Sequence, residues 1–194
     1  ILILPFGSVV SAAHQIVAST GGFMFIFPSS IASAYSILVS RTMGSGNMKE
    51  ADKFARQSIW VIMAVSGSLS LCLWLERGLI VTFYSDDLAV QILAASLLLL
   101  VCMSHFLDGL MTLLTSLLRC WDVSILPMLI FLVVVLCFGL GGGWWMSYKG
   151  LHWGSHSISA MGIYGFWSMA AISYLVACVL SAFCFHFRKQ LRGF

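Results

Sequence analysis

Asp108 is the only formally charged residue in the stretch 88–118, which is otherwise made of apolar and small polar side chains. If Arg119 marks a water interface, Asp108 lies eleven residues inside it. At about 1.5 Å of rise per residue that is roughly 16 Å into a hydrocarbon layer about 30 Å thick. A carboxylate at that depth costs about 3 kcal/mol or more, so it should face a bundle interior or a wet cavity rather than lipid. At helical spacing Ser104, His105, Asp108, Thr112 and Thr115 share one side, while Phe106, Leu107, Leu110, Leu113, Leu114 and Leu117 cover the other. Such a stripe suits an acid that binds a proton, a metal cation such as Na⁺, or the charge of a substrate. It also suits a buried carboxylate bonded to neighbouring helices for structure alone. His105 is three residues from Asp108, near enough on a helix to share a proton or a hydrogen bond, and a packing role is the plainer alternative.

Other reactive side chains carry weaker signals. His14 and Gln15 read as an interfacial cap at the head of a helix. His152 and His156 are four apart, but Gly150 and Gly154 break the helix that would align them and no third ligand stands nearby, so no metal site is expected beyond a possible Na⁺ at Asp108. The six cysteines are scattered, without the close pairing of a zinc or redox site, and read as packing or lipid-facing residues. No serine sits in a nucleophile elbow, and no glycine-rich loop precedes a lysine at nucleotide-binding spacing. An enzyme is therefore not expected, and neither is a cofactor. No basic run suggests nucleic acid.

The elements that must hold Asp108 follow from composition. With 60% hydrophobic and 9% charged residues and a mean hydropathy of +1.00, the chain reads as an all-α integral membrane protein, a polytopic helix bundle. Residues 1–10 read as the last turns of a truncated span, broken near Pro5 and Gly7. Complete spans are expected at 11–40, 58–75, 88–118, 124–143 and 161–187. Pro28 removes a backbone hydrogen bond in the middle of the first of these and predicts a kink. The small and polar residues Gln15, Ser19, Gly22, Ser29, Ser33, Ser36 and Ser40 recur along the same helix and predict close helix packing, with cavity lining as the alternative. The stretch 41–56 reads as an exposed loop leading into a surface turn, Ser85, Asp86 and Asp87 as a helix cap, Gly141 to Gly143 as a helix end, and 147–160 as a loop.

Alternating spans place Arg41, Lys49, Lys53, Arg56, Arg119, Arg188, Lys189 and Arg192 on one side, and only Arg77 and Lys149 on the other. By the positive-inside tendency the first side is cytoplasmic, which puts the C-terminus inside a plasma or inner membrane. The chain opens on Ile1 already apolar, without a basic leader, and so reads as a fragment of a longer membrane protein.

Several short motifs, in order, cover nearly the whole chain. They are Ala13-His14-Gln15, Phe27-Pro28-Ser29-Ser30-Ile31, Gly44 with Asn47, Asp108 followed by Ser116-Leu117-Leu118-Arg119, and Gly162-Ile163-Tyr164-Gly165-Phe166-Trp167. Together they resemble the multidrug and toxic compound extrusion family of transporters, and specifically one C-terminal six-helix lobe. The resemblance implies two such lobes related as parallel repeats around a cavity of alternating access, so that an N-terminal lobe of the same polypeptide is the missing partner. It implies exchange of a small organic cation for external Na⁺ or H⁺ within membrane lipid. Asp108 matches the acidic position of the C-lobe that takes the coupling cation, and the carboxylates that would complete the site fall before Ile1. Cys120 and Ser168 stand where glycine is common, which bears on packing rather than on charge.

Two other readings remain beside the antiporter. An exporter or flippase of lipid-linked saccharides calls for a basic cavity, whereas no Lys or Arg falls inside an expected span. A transport-inactive scaffold, or a remnant half of a transporter, fits a chain of 194 residues that functions alone.

Overall fold

The computed structural model describes residues 2–153, 156–188 and 190–191. Ile1, Lys189 and Arg192 lie outside the described residues; the last two had counted toward the charge asymmetry. Among the described residues, five helices are long and apolar enough to cross a membrane: α1 (Ser8–Gly44), α2 (Met48–Tyr84), α3 (Leu88–Cys120), the composite helix Ile125–Tyr148 and α6 (Ile163–His186). The molecule is a multi-pass membrane protein. Large apolar side chains cover its outside, with Trp60, Leu79 and Phe83 at 73%, 69% and 89% exposure, as expected where lipid replaces water as the solvent.

The first four helices overrun the expected spans, because charge alone does not end a helix, whereas α6 lies within the expected 161–187. α1 and α2 have 37 residues each, about 55 Å at the standard rise, so each projects well beyond the hydrocarbon layer. Leu4–Phe6 make a single 3-10 turn, Gly7 breaks the chain at φ +97°, and Ser8 already opens α1. The charged stretch read as loop and surface turn is the first part of α2 from Met48 onward. Asn47 caps it, its Oδ1 accepting from Glu50 N at 3.3 Å and its Nδ2 donating to Glu50 Oε2 at 2.7 Å. The first bond satisfies the Glu50 backbone N–H, which would otherwise be orphaned at the helix start, and the second ties the Asn47 amide to the Glu50 carboxylate. Asp87 caps α3 by accepting from Ala89 N at 2.8 Å.

The fourth span also continues past its expected end. It comprises α4 (Ile125–Ile130), a π-helical segment (Phe131–Gly141) and α5 (Gly142–Tyr148), so Gly141 to Gly143 pass through the helix instead of ending it. Glycine here serves approach rather than termination, since a Cβ on Gly139 would lie 2.6 Å from Ser173 Oγ of α6. Within the expected loop 147–160 a short antiparallel ladder joins β1 (Leu151–Trp153) to β2 (His156–Ile158), with Leu151 opposite Ile158. The side chains of 152–157, including His152 and His156, lie outside what the structure describes.

α3 is the centre of the bundle, packed against α1, α2 and α6. Two apolar clusters fill the interior. One, at the basic end, includes Val39, Ala55, Leu117, Trp121 and Phe185; the other, toward the opposite end, includes Val17, Leu73, Val90 and Leu97. Where α1, α2 and α3 cross, fully buried Pro28 meets Ser66 and Gly109, the residue after Asp108.

Candidate functional site

α3 reaches the cavity with the face that the helical spacing of its polar residues predicts. Ser104, His105, Asp108, Thr112 and Thr115 all line one cavity of about 920 Å³. Small residues of α1, Ala18, Gly21 and Gly22, hold its first wall back; Met128 of α4, Phe131 of the π segment, and Trp167 and Tyr174 of α6 close the others. The wall is mostly apolar, so an ionised group within it lacks the solvation that water would provide.

Most of the stripe's hydroxyls are already engaged. Ser104 Oγ donates to Leu100 O at 2.8 Å, and Thr115 Oγ1 donates to Thr112 O at 3.0 Å. Thr112 hydrogen-bonds the Asp108 carboxylate one turn back along α3. Tyr174 lies within electrostatic reach of Asp108 from α6. Arg119 lines the same cavity at its basic end and turns its Nε to Thr115 O at 3.3 Å. Among the described residues no salt bridge neutralises Asp108; the one that forms joins Arg188 to Asp52. The site therefore holds a half-buried acid with the Thr112 hydroxyl beside it, hard oxygens that suit a proton or a small hard cation.

His105 differs from its neighbours. It is 4% exposed, lines the cavity, and its Nε2 has no hydrogen-bond partner. Buried polar groups are nearly always paired, so a buried nitrogen without a partner is unusual.

His14 is not a cap, because α1 begins at Ser8. Its ring lies 5.6 Å from that of Trp167, its Nδ1 is buried without a partner, and with Gln15 it lines a second cavity of about 740 Å³. Trp167 and Tyr174 line both cavities and so stand between them. The small-residue stripe of α1 does not pack tightly: Gln15, Ser19, Gly22, Ser33 and Ser40 are exposed. Ser29 and Ser33 bond back to carbonyls of their own helix. Among the described residues no group of three or more His, Cys, Asp or Glu side chains gathers to hold a metal, and the six cysteines are free thiols.

Trp167, Tyr174 and Phe131 are the lining residues that the polar pattern of α3 could not reveal. Trp167, Ala170 and Tyr174 follow one another at helical spacing, a signal that was legible but carried no polar mark. Phe131 reaches the cavity from the π segment, whose register no α-helical pattern predicts.

Comparison with known proteins supplies the remaining finding. Residues 1–145 match the MatE family. The probable multidrug resistance protein NorM of Chromobacterium violaceum is 31% identical over 180 residues, which is 93% of this chain and 38% of that relative. A NorM of Neisseria meningitidis serogroup A is 30% identical over 186 residues, 94% of this chain and 38% of the relative. The multidrug resistance protein MdtK of Edwardsiella ictaluri is 27% identical over 182 residues, 94% and 39% respectively. The chain thus spans well under half the length of the curated relatives it matches.

Proposed function

The chain belongs to the MatE family, and from that premise we propose that it is the C-terminal lobe of a secondary active antiporter exporting small organic cations in exchange for Na⁺ or H⁺. The relatives' names, multidrug resistance proteins, support the substrate class. The observation that carries the reading is Asp108, which faces a cavity of about 920 Å³ deep in the bundle with no salt-bridge partner among the described residues. Intramembrane acids mark ion and substrate paths.

In this mechanism one positive charge occupies the Asp108 cavity at a time. A coupling cation arriving from outside takes the carboxylate, with Thr112 as its nearest hydroxyl, and the cavity's affinity for the organic cation falls. The substrate then leaves outward, because each ligand shifts the same conformational equilibrium by its differential affinity. The reading further places the protein in a plasma or inner membrane with its C-terminus in the cytoplasm, joined to an N-terminal lobe of the same polypeptide. The rival saccharide exporter calls for a phosphate-binding cavity, and the acid at Asp108 argues for a cation instead.

The test is Asp108→Asn in the full-length protein. Reconstituted in liposomes, it should lose cation-driven efflux of a fluorescent organic cation by about tenfold or more, a loss within the usual range of coupling energies. Insertion and thermal stability should stay near wild type. Efflux at the wild-type rate would sink the proposal.

A further inference from the structure

The first turns of α2 carry two stripes of opposite character. Lys49, Lys53, Arg56 and Trp60 recur at steps of four, three and four residues, the spacing of a single helix face. All four are exposed. Two residues further along stand Ala51, Ala55, Ser58 and Ile62, at the same steps and completely buried. Two residues turn an α-helix by about 200°, so the basic stripe points away from the bundle.

The acids of the same turns are engaged elsewhere. Asp52 pairs with Arg188, and Glu50 accepts from Asn47 Nδ2 at 2.7 Å. None of Lys49, Lys53 and Arg56 has a salt-bridge partner among the described residues. Three cations thus share one exposed face within about 10 Å of helix, and Trp60 follows Arg56 by about 6 Å. From Gln57 to Leu75 α2 carries no charge. The cations therefore sit at headgroup level, where the apolar part of the helix begins, and the Trp60 indole sits at the boundary where amphipathic rings are favoured. Ala51 and Ala55 are packed in the core on the other side of these turns, so the stripe is a fixed array on a rigid element.

We propose that this face of α2 is a binding site for anionic phospholipid. Lys49, Lys53 and Arg56 hold a headgroup of net negative charge, and Trp60 lies against the upper part of the acyl chains. Charge complementarity selects the occupant: basic residues at the membrane surface attract anionic lipid, whereas a phosphocholine headgroup brings a cation of its own to the stripe. The Arg56 guanidinium can grip a phosphate with two parallel hydrogen bonds, and the two lysines add compact charges above it. The inference goes beyond the exporter reading and depends on neither its substrate nor its coupling ion.

Quenching of Trp60 fluorescence by brominated lipid tests it in the full-length protein. Each protein is measured beside its Trp60→Phe counterpart, so that the difference isolates this indole. Phosphatidylcholine vesicles carry an equal, small fraction of either brominated phosphatidylglycerol or brominated phosphatidylcholine. Brominated phosphatidylglycerol should reach half-quenching of Trp60 at a fraction about fivefold lower, and raised salt should narrow the gap. With Lys49→Gln, Lys53→Gln and Arg56→Gln combined, the preference should vanish while quenching by brominated phosphatidylcholine persists. Arg56→Gln alone should weaken the preference, and it decides the matter should loss of three basic residues disturb insertion. Equal quenching by the two lipids in wild type, or a preference that survives these substitutions, overturns the proposal. Absence of Trp60 quenching by either lipid also overturns it, since another part of the polypeptide or a second copy then covers this face. None of these results bears on the exporter reading, which the Asp108→Asn efflux assay tests separately.

Discussion

Only a hydrogen atom fits at the position after Asp108. A Cβ on Gly109 would lie 2.5 Å from Ser66 Oγ and 3.1 Å from Pro28 Cβ, so the smallness of this residue lets three helices cross beside the acid. Ser66 Oγ is itself buried without a partner, so removing it deprives the fold of no hydrogen bond. Gly109→Ala should therefore lower the stability of the detergent-solubilised protein by about 1–3 kcal/mol, the usual cost of overpacking. Ser66→Ala alone should be neutral or slightly stabilising, and in combination it should recover most of the loss. A thermal melt of the four proteins checks this. If the double variant melts no higher than Gly109→Ala, the crowding is not between these two side chains. The same residue-scale logic separates Asp108 from the hydroxyls around it. Ser104 and Thr115 already donate to backbone carbonyls, whereas Asp108 has no salt-bridge partner among the described residues.

The junction of three elements at the basic end of the bundle depends on Arg188. Its guanidinium pairs with Asp52 of α2 and donates to Phe185 O at 2.8 Å. It lies 4.6 Å from the centroid of the Trp121 ring and 4.2 Å from that of Phe185. Arg188 is 7% exposed and Trp121 2%, so the start of α2, the α3–α4 turn and the end of α6 are held around one buried cation. The turn itself requires Asp122 at φ +61°, a left-handed conformation that aspartate tolerates better than most residues. Removing one partner of a buried pair strands the other charge and costs about 3 kcal/mol or more, whereas replacing both by apolar or neutral groups often costs little. Asp52→Asn should thus lower the melting temperature clearly, and Asp52→Asn with Arg188→Met should restore most of it. A double variant less stable than the single would show that the aromatic contacts of Arg188, and not its ion pair, hold the junction.

Across the whole molecule, five apolar helices surround two packed clusters, with the Asp108 cavity opening among α1, α3, the composite fourth span and α6. The three curated relatives described above are matched over 38–39% of their length, and the proposed antiporter needs a second lobe to enclose its cavity. The protein in its native membrane should therefore have an intact mass well above the 21.3 kDa of these residues. Mass spectrometry of the solubilised native protein decides the point. A mass of 21.3 kDa would leave only a homodimer, or a protein that does not transport.

Much of this was legible in the chain itself. Composition and the length of the apolar runs determined a polytopic helix bundle, because a bilayer leaves the backbone few ways to satisfy its hydrogen bonds. Periodicity determined which side chains of α3 share a face, because side-chain direction on a helix is fixed by local geometry. Helix ends were less legible. Met48 to Gln57 and Gly141 to Tyr148 continue as helix in the structure, since neither charge nor glycine stops a helix whose backbone bonds are already made. Only the tertiary structure decided that Trp167, Tyr174 and Phe131 complete the cavity, that Gly109 sits against Ser66 and Pro28, and that His105 Nε2 has no partner. Each of those facts depends on the distance between separate helices, which is set by how side chains far apart in sequence pack together, and no local pattern encodes it.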